Sequence, residues 1–267
     1  MCTLAFYYRV VPDYPLIVAA NRDERFSRAS ALPQALGERP LIFGGKDLVA
    51  GGTWLGVNDH GLIAAVLNRR AAGPTTKHVP RSRGLLCLQM LRAESAFQAY
   101  EGLKREHGLN YQPFLLLVAS VKAAFVAYNS GKTITHHAVD AAGVHVFGNS
   151  SFCGSTTEKL SHAKELFSAA SGPLRQRLAP TGVGEKRGAA KARLASVDSL
   201  QRILGNHDLP AGSQDPRDAI CVHGEDYGTV SSSIVFQDST GGQFQFYHSS
   251  TAPCQGDYQP IEAPAPL

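Results

Sequence analysis

The sequence predicts an α+β fold arranged in layers around one core. Short runs of β-branched and aromatic residues cluster in an early and a late section of the chain. Segments with apolar residues three and four positions apart lie between and after them. With 267 residues and 43% hydrophobic content, the chain can bury a large core. We expect a single domain over residues 1–250 and an extended, proline-rich tail over residues 251–267.

The first predicted elements form a hairpin. Residues 2–10 and 16–20 have the composition of strands, and the prolines and aspartate of residues 12–15 indicate a turn between them. A hairpin returns the chain to the end at which it started. We therefore expect the polar residues 21–24, Asn-Arg-Asp-Glu, to lie beside Cys2. These four residues are equally typical of the solvated exit of a buried strand.

A second motif follows a proline-containing loop expected at residues 31–40. Residues 58–61, Asn-Asp-His-Gly, indicate a tight turn in which Gly61 adopts a positive φ, and residues 62–67 are typical of a buried strand. Glycines 51, 52 and 56 flank Trp54, the only tryptophan. This pattern fits close backbone packing near a pocket, and it also fits a core anchor with small neighbours.

The remaining elements follow from periodicity and composition. Helices are predicted at 84–91, 93–104, from 155 to about 170, and at 197–204; the third begins with the capping-box spacing Ser155 to Glu158. Strands are predicted at 114–120, 123–129, 133–139, 144–147, 219–222, 229–237 and 243–248. Residues 180–193 are rich in Gly, Ala, Lys and Arg, which predicts a flexible basic loop.

Charge and cysteine content narrow the function classes. The formal net charge is +4 with scattered basic residues, which indicates a solvated surface and no nucleic-acid partner. The longest apolar run, residues 114–119, is strand-sized, so we expect no membrane-spanning segment, and the N-terminus lacks the apolar core of a secretory signal. The cysteines are odd in number, widely spaced and without a CxxC pair. This argues against a disulfide framework and a metal site, and for a cytoplasmic protein.

The N-terminus has the composition of a nucleophile. Because residue 2 is small, we expect Met1 to be removed, leaving Cys2 with a free α-amine of pKa roughly 7.7–8.0. That amine can accept the proton of the thiol on the same residue, which is the pairing of nucleophile and base that acyl transfer needs. An N-terminal cysteine alone is weak support, since many chains begin Met-Cys.

Three further side chains complete this hypothesis. Arg22 and Asp23, delivered by the hairpin, can orient and charge-stabilise the amine of Cys2. Asn68 follows the predicted strand 62–67 and can direct an amide N–H at a developing oxyanion.

The combination of motifs resembles the NRDE family, whose animal members are called transport-and-Golgi-organisation proteins. The resemblance rests on residues 1–3, on the Asn-Arg-Asp-Glu of residues 21–24, and on residues 52–61, Gly-Thr-Trp-Leu-Gly-Val-Asn-Asp-His-Gly. It continues at residues 148–150 and 227–232. The resemblance implies a four-layer αββα sandwich of the N-terminal-nucleophile hydrolase type.

A more distant likeness is to the group of bile-salt hydrolase, penicillin V acylase and acid ceramidase. It implies catalytic roles for Cys2, Arg22, Asp23, Asn68 and Asn149. Four other motif residues are expected to line the pocket: Asn21, Glu24, Trp54 and Asn58.

Two departures from these patterns stand out. In the group of bile-salt hydrolase, penicillin V acylase and acid ceramidase, the Arg and the Asp are three positions apart, whereas Arg22 and Asp23 are adjacent. NRDE relatives usually have an Arg where this chain has Val230.

Three functions remain open. The NRDE family is associated with haem movement and lipid homeostasis, which favours handling of haem or another hydrophobic ligand. Of the adjacent His136 and His137, at most one could reach a common ligand, since neighbours in a strand face opposite sides. The alternative is a Cys2-dependent amidohydrolase or acyltransferase, acting on an amide or thioester and needing no cofactor. The second alternative is an interaction protein without a small ligand.

Overall fold

Two antiparallel sheets lie face to face, because their strands direct alternate apolar residues into a shared interior. The computed structural model describes residues 2–69, 81–149, 157–179, 186–239 and 244–262. The strands, in chain order, are β1 (Thr3–Val11), β2 (Tyr14–Arg25), β3 (Ser30–Glu38), β4 (Leu41–Asp47), β5 (Leu55–Asn58), β6 (Ile63–Asn68), β7 (Phe114–Ala119), β8 (Ala124–Asn129), β9 (Ile134–Ala138), β10 (Gly143–Gly148), β11 (Tyr227–Gln237), β12 (Phe244–Ser249) and β13 (Gln259–Ile261). The helices are α1 (Arg83–Met90), α2 (Ala96–Lys104), α3 (Glu158–Arg177) and α4 (Lys186–Leu204).

The two sheets divide the chain unevenly. The first sheet has the order β10-β1-β2-β11-β12-β13, so strands from both ends of the sequence pair at its centre. The second sheet runs β3-β4-β5-β6-β7-β8-β9, a meander of consecutive strands. Its strand β7 carries the longest apolar run and is buried throughout, as its composition predicts.

Helices cover the outer face of each sheet. Helices α3 and α4 pack on the first sheet through Phe167 and Leu200, and helices α1 and α2 pack on the second through Leu86 and Leu103. The predicted four-layer αββα arrangement is therefore confirmed. Among the described residues, the helices are all too short or too polar to cross a membrane.

Several elements differ from the sequence prediction. Residues 31–40, expected as a loop, fall mainly in strand β3, which pairs with β4 through two register shifts and therefore tolerates Pro33. Residues 219–222, expected as a strand, form a buried coil. Its apolar residues are covered by neighbouring elements, and the N–H of Cys221 donates to the carbonyl of Asn206.

The basic segment, residues 180–193, differs most from the sequence prediction. Residues 186–193 belong to α4 and are not a loop, because Ala, Lys and Arg are strong helix formers. Residues 180–185 lie outside the described part of the chain. Helix α3 is capped by Thr157, whose hydroxyl accepts from the N–H of Leu160, whereas Ser155 lies outside the described residues.

The C-terminal segment packs against the first sheet and is not a free tail. Strand β13 pairs with β12, and the side chains of Ala252 and Tyr258 are buried. The hydroxyl of Tyr258 donates to the hydroxyl of Ser232 in β11.

Candidate active site

The β1–β2 hairpin places Cys2 beside the polar end of β2, as the sequence predicts. Thr3 pairs with Asn21, so Cys2 lies next to Arg22 and Asp23. The thiol of Cys2 is 3.7 Å from the carbonyl oxygen of Asp23. Burial, reinforced by the negative charge of the Asp23 carboxylate, raises the pKa of the Cys2 thiol. A resting thiol at this position is therefore protonated at neutral pH.

Cys2 opens into a cavity of about 370 Å³, which is within the usual range for small-molecule sites. Its lining residues are Cys2, Arg22, Asp23, Glu24, Arg28, Asp47, Ala50, Thr53, Trp54, Val66, Asn68, Arg81, Ser82, Arg83, Gly84 and Gln112. Six of the residues singled out in the sequence are among them. We refer to this space as the Cys2 cavity.

Asp23 accepts hydrogen bonds on the face of the first sheet that packs against the helices. Its carboxylate accepts a 2.7 Å hydrogen bond from Thr229, and its backbone carbonyl accepts one of 3.0 Å from Tyr227. The ammonium of Lys159, in the first turn of α3, donates to the carbonyl of Arg217. Burial lowers the pKa of Lys159, while the charge of Asp23 opposes that shift. The Lys159 ammonium therefore lies within electrostatic range of Asp23.

Arg22 points the opposite way, because consecutive residues of a strand face opposite sides. Its guanidinium lies 4.4 Å from the centre of the Trp54 ring, and it donates to the hydroxyl of Ser30 at 3.3 Å. Asp47 lies 3.8 Å from its Nη2 atom. Burial lowers the pKa of Arg22, and the charges of Glu24 and Asp47 partly offset this. Trp54 therefore lines the cavity and also packs against the core between the sheets.

Val230 occupies a bulge beside these two residues. In the pairing of β11 with β2, Thr229 lies opposite Asp23 and Ser231 opposite Arg22, so Val230 is the extra residue between them. The position at which NRDE relatives usually carry an Arg thus lies where the strand shifts its register.

Asn68 and Asn149 approach Cys2 from two strands. Asn68 ends β6 and lines both the Cys2 cavity and a neighbouring cavity of about 430 Å³, which Asn149 also lines. Gly148 pairs with Thr3, and the next step of that register sets Asn149 opposite Cys2. Asn149 is buried, and its Oδ1 atom accepts no hydrogen bond from the described residues.

Asn21 and Asn58 do not line the Cys2 cavity, contrary to the sequence expectation. The amide of Asn21 faces the helices and donates to the carbonyls of Leu204 and Ile220. The amide of Asn58 donates to the carbonyls of Leu91 and Ala93. Both side chains connect segments of the backbone, and neither amide is available to a ligand.

The match to known proteins agrees with this geometry. A family model described as Transport and Golgi organisation 2 matches residues 1–253. The chain belongs to the Transport and Golgi organisation 2 family. A curated member, the Transport and Golgi organization protein 2 homolog of Bos taurus, is 28% identical over 265 residues, covering 90% of each protein. The family predicted from the motifs is therefore confirmed.

Solved structures identify the fold. Penicillin V acylase from Agrobacterium tumefaciens superposes with a TM-score of 0.55 at 11% identity, covering 100% of this chain and 99% of that one. The Caenorhabditis elegans ortholog of N-acylethanolamine-hydrolyzing acid amidase gives 0.52 at 11% identity, with 98% and 100% covered. At such identities the likeness concerns the fold alone. This member of the Transport and Golgi organisation 2 family has the N-terminal-nucleophile hydrolase fold.

The family's glycine-rich run shapes the rim of the cavity. A Cβ atom on Gly52 would lie 2.1 Å from the carbonyl carbon of Gly84, so only glycine permits this approach of the loop to α1. Gly61 has the predicted positive φ, at 77°. The interpretation that glycines near Trp54 serve close packing is thus correct for Gly52 and Gly56, whereas Gly51 has open space at its Cβ position and a positive φ of 74°.

Sequence reasoning missed several charged residues of the site. Arg28, Arg83 and Lys159 come from a turn and from the first turns of two helices, and nothing in their spacing marks them. The histidine pair on β9 behaves as predicted: His136 packs on Tyr100 of the helical layer and His137 on Tyr128 between the sheets. Neither histidine lines the Cys2 cavity.

Proposed function

We propose that Cys2 is the nucleophile of a hydrolase or acyltransferase that acts on an amide or thioester bond. The observation that carries this proposal is the position of the Cys2 thiol on the wall of a polar cavity, 3.7 Å from the backbone carbonyl oxygen of Asp23, whose buried carboxylate also borders that cavity. Of the residues that the remote hydrolase pattern requires, Arg22 and Asn68 line the Cys2 cavity, and Asn149, opposite Cys2 in the register of β1 and β10, lines the neighbouring cavity.

The chemistry uses the two functional groups of one residue. After removal of Met1, the α-amine of Cys2 takes the thiol proton while the sulfur attacks the substrate carbonyl carbon. The resulting ammonium returns that proton to the departing amine or thiol, leaving an acyl thioester on Cys2. Water, or an acceptor amine, then attacks the thioester with the α-amine again taking the proton. The thiol is regenerated, and a carboxylic acid or a new amide is released.

The raised pKa of Cys2 fits this sequence of proton transfers. Burial and the Asp23 charge disfavour a resting thiolate, so the proton leaves the sulfur as the new bond forms. The same Asp23 charge favours the ammonium that is formed. The side-chain amides of Asn68 and Asn149 would donate to the oxyanion, and losing one such donor typically costs about 10²–10³ in rate.

The charges of the cavity indicate an anionic substrate. Among the described lining residues, four arginines face three carboxylates, and Asp47 is shared by Arg28 at 2.8 Å and Arg22 at 3.8 Å. Arg83 donates to the carbonyl of Pro113 and contacts none of the described carboxylates. A carboxylate or phosphate on the substrate would complete this arrangement.

Two measurements test the proposal. The intact mass of the untagged protein must show that Met1 is absent, and the protein must cleave an N-succinyl anilide faster than an N-acetyl anilide. Cys2→Ala should abolish cleavage, whereas Cys87→Ala, in the buried face of α1, should retain it. A Cys2→Ala variant that remains fully active would overturn the proposal.

Arg83→Gln tests the substrate class. We expect KM for the succinyl substrate to rise about tenfold with little change in kcat, since a charge-assisted hydrogen bond is lost in ground and transition states alike. Arg92→Gln, at an exposed position, is the matched control. Equal KM values for Arg83→Gln and wild type would exclude an anionic contact at this residue.

The geometry gives less support to haem handling, which stays a prediction. None of the described histidines lines the Cys2 cavity, so an axial ligand there would have to be the Cys2 thiolate. Haem titration of wild type and Cys2→Ala separates the two functions: a defined Soret shift in wild type, lost in the variant, would favour a carrier.

A further inference from the structure

Two cysteines and two histidines from separate segments meet on the surface behind the first sheet. His207 follows α4, Cys221 and His223 belong to the buried coil before β11, and Cys254 lies in the C-terminal segment. One potential ligand atom from each residue falls within 4.8 Å of the other three. Cys221 is buried and the other three are exposed, so ions can reach the cluster.

The distances among Cys221, His223 and Cys254 are close to those within a tetrahedral metal site. The two sulfur atoms are 3.6 Å apart, and Nε2 of His223 is 3.7 Å from the Cys221 sulfur and 3.2 Å from the Cys254 sulfur. Four ligands placed about 2.3 Å (sulfur) and about 2.0–2.1 Å (nitrogen) from a central zinc ion would be separated by about 3.4–3.8 Å. The side chains already stand at nearly the spacing that a shared ion imposes.

His207 completes the arrangement. Its Nδ1 atom is 3.2 Å from the carbonyl oxygen of Cys221, and its ring centre is 5.0 Å from that of His223. A backbone carbonyl bound to one ring nitrogen is the common way to fix the tautomer of a metal-binding histidine and direct the other nitrogen at the metal.

We propose that His207, Cys221, His223 and Cys254 bind one zinc ion in a closed, structural site. Two sulfurs and two imidazole nitrogens form a donor set suited to zinc, and four protein ligands leave no open position for catalysis. This proposal departs from the sequence expectation of no metal site. The competing possibility for Cys221 and Cys254 is a disulfide, which would require their sulfurs to close from 3.6 Å to about 2.05 Å.

The ion would join three separate segments of the chain. It would tie the end of α4 to the buried coil and to the C-terminal segment, where Gln201 already donates to the carbonyls of Pro253 and Gly256. Val222, between two of the ligands, donates its N–H to Thr229, whose hydroxyl donates to Asp23. The zinc site would therefore hold the coil that supports the carboxylate beside Cys2.

Metal analysis of the untagged protein, purified in a reducing buffer without chelator, tests the proposal. We expect about one zinc per chain by inductively coupled plasma mass spectrometry. After chelation and reconstitution, we expect cobalt to give the intense visible bands of tetrahedral coordination together with thiolate charge-transfer absorption. Cys254→Ser and His223→Gln should weaken zinc binding strongly, while Cys87→Ala and the exposed His60→Gln should not.

Three results would overturn the proposal. One is a wild-type protein that binds no zinc or cobalt while remaining folded by circular dichroism. Another is zinc binding that survives the double substitution Cys221→Ser and Cys254→Ser. The third is a non-reduced intact mass lacking two hydrogens, located by peptide mapping to Cys221 and Cys254 in the freshly purified protein. The cobalt spectrum of the wild-type chain decides the question even where a variant fails to fold.

Discussion

At the scale of single residues, the site depends on two opposite faces of one strand. Because Arg22 and Asp23 are neighbours in β2, one faces Trp54 between the sheets and the other faces Thr229 and Lys159 on the helical side. Cys2 lies at the edge where both faces can be reached. Two residues three positions apart in a regular strand would also face opposite sides, so the adjacent spacing of Arg22 and Asp23 changes their separation along the strand and not this alternation.

The reactivity of Cys2 gives the first prediction. Since the thiolate is the nucleophile and the pKa of Cys2 is raised, alkylation by iodoacetamide should be slower at pH 7 than for a free cysteine and should accelerate as pH rises. Asp23→Asn removes a negative charge that contributes to the shift, so its Cys2 should react faster at any given pH below the pKa. Mass spectrometry of the N-terminal peptide measures both rates.

Cys87 is an internal control for this experiment. It is fully buried on the core-facing side of α1 and reacts only if the protein unfolds. A faster reaction at Cys2 with no labelling at Cys87 supports the charge effect of Asp23. Unchanged Cys2 rates in folded Asp23→Asn would contradict it.

Thr229 supplies a second prediction. Its hydroxyl accepts from the N–H of Val222 and donates to Asp23, all in a buried setting. Thr229→Val leaves both groups without this partner, so the free energy of unfolding should fall by about 1–3 kcal/mol in urea titrations. Thr229→Ser should recover most of the loss, and Thr135→Val, at an exposed strand position, should change it little.

At the scale of elements, the turn between β5 and β6 depends on one side chain. Asn58 accepts from the N–H groups of His60 and Leu62, and it donates to two carbonyls that follow α1. It thus joins the turn to the helix that forms one side of the Cys2 cavity. The presence of Asn58 in the motif of residues 52–61 is therefore explained by these hydrogen bonds.

Asn58→Ala tests that interpretation. Several buried backbone groups would lose their partner, so the free energy of unfolding should fall by about 3 kcal/mol. Asn110→Ala, with an exposed side chain, should stay within about 0.5 kcal/mol of wild type. If the two variants are equally stable in urea, the side chain of Asn58 does not hold the turn.

The contrast between local and distant pairing explains which elements could be predicted. The β1–β2 hairpin is read from two apolar runs and one turn, and it correctly brings residues 21–24 to Cys2. The coil at residues 219–222 has the apolar composition of a strand, but its hydrogen bonds go to Asn206 and to Thr229 near the start of β11, and they do not continue as a ladder along that strand. Such partners are set by tertiary packing, which the local sequence does not encode.

The same contrast applies to the candidate sites. Motif resemblance located Cys2, Arg22, Asp23, Trp54 and Asn68 on one cavity. The arginines and the lysine around it come from distant segments, and so do the four residues of the proposed zinc site. Spacing rules for cysteines describe ligands on one or two nearby loops, and they fail where three segments converge.

At the scale of the whole molecule, the stability of the fold depends on titratable side chains that are buried within its sheets. His248 in β12 is one of these, and its Nδ1 atom is 2.9 Å from the hydroxyl of Ser233 in β11. Burial lowers the pKa of His248 to about 4. The folded protein therefore holds this imidazole neutral across the range in which an unfolded chain would protonate it.

The stability of the fold should depend on pH through this group. At pH 7 both states are largely neutral at His248, so it has little effect. Below pH 6.5, the ordinary pKa of histidine, the unfolded state binds a proton that the folded state does not. The free energy of unfolding therefore falls until about pH 4, by roughly 3 kcal/mol in all.

Acidic side chains also make the free energy of unfolding depend on pH. The contribution of His248 is therefore the difference between wild type and His248→Asn, which keeps a polar atom near Nδ1. Urea unfolding at several pH values between 4 and 7 should give a shallower slope for His248→Asn than for wild type. Parallel slopes for the two proteins would show that protonation of His248 does not limit the stability of the packed layers.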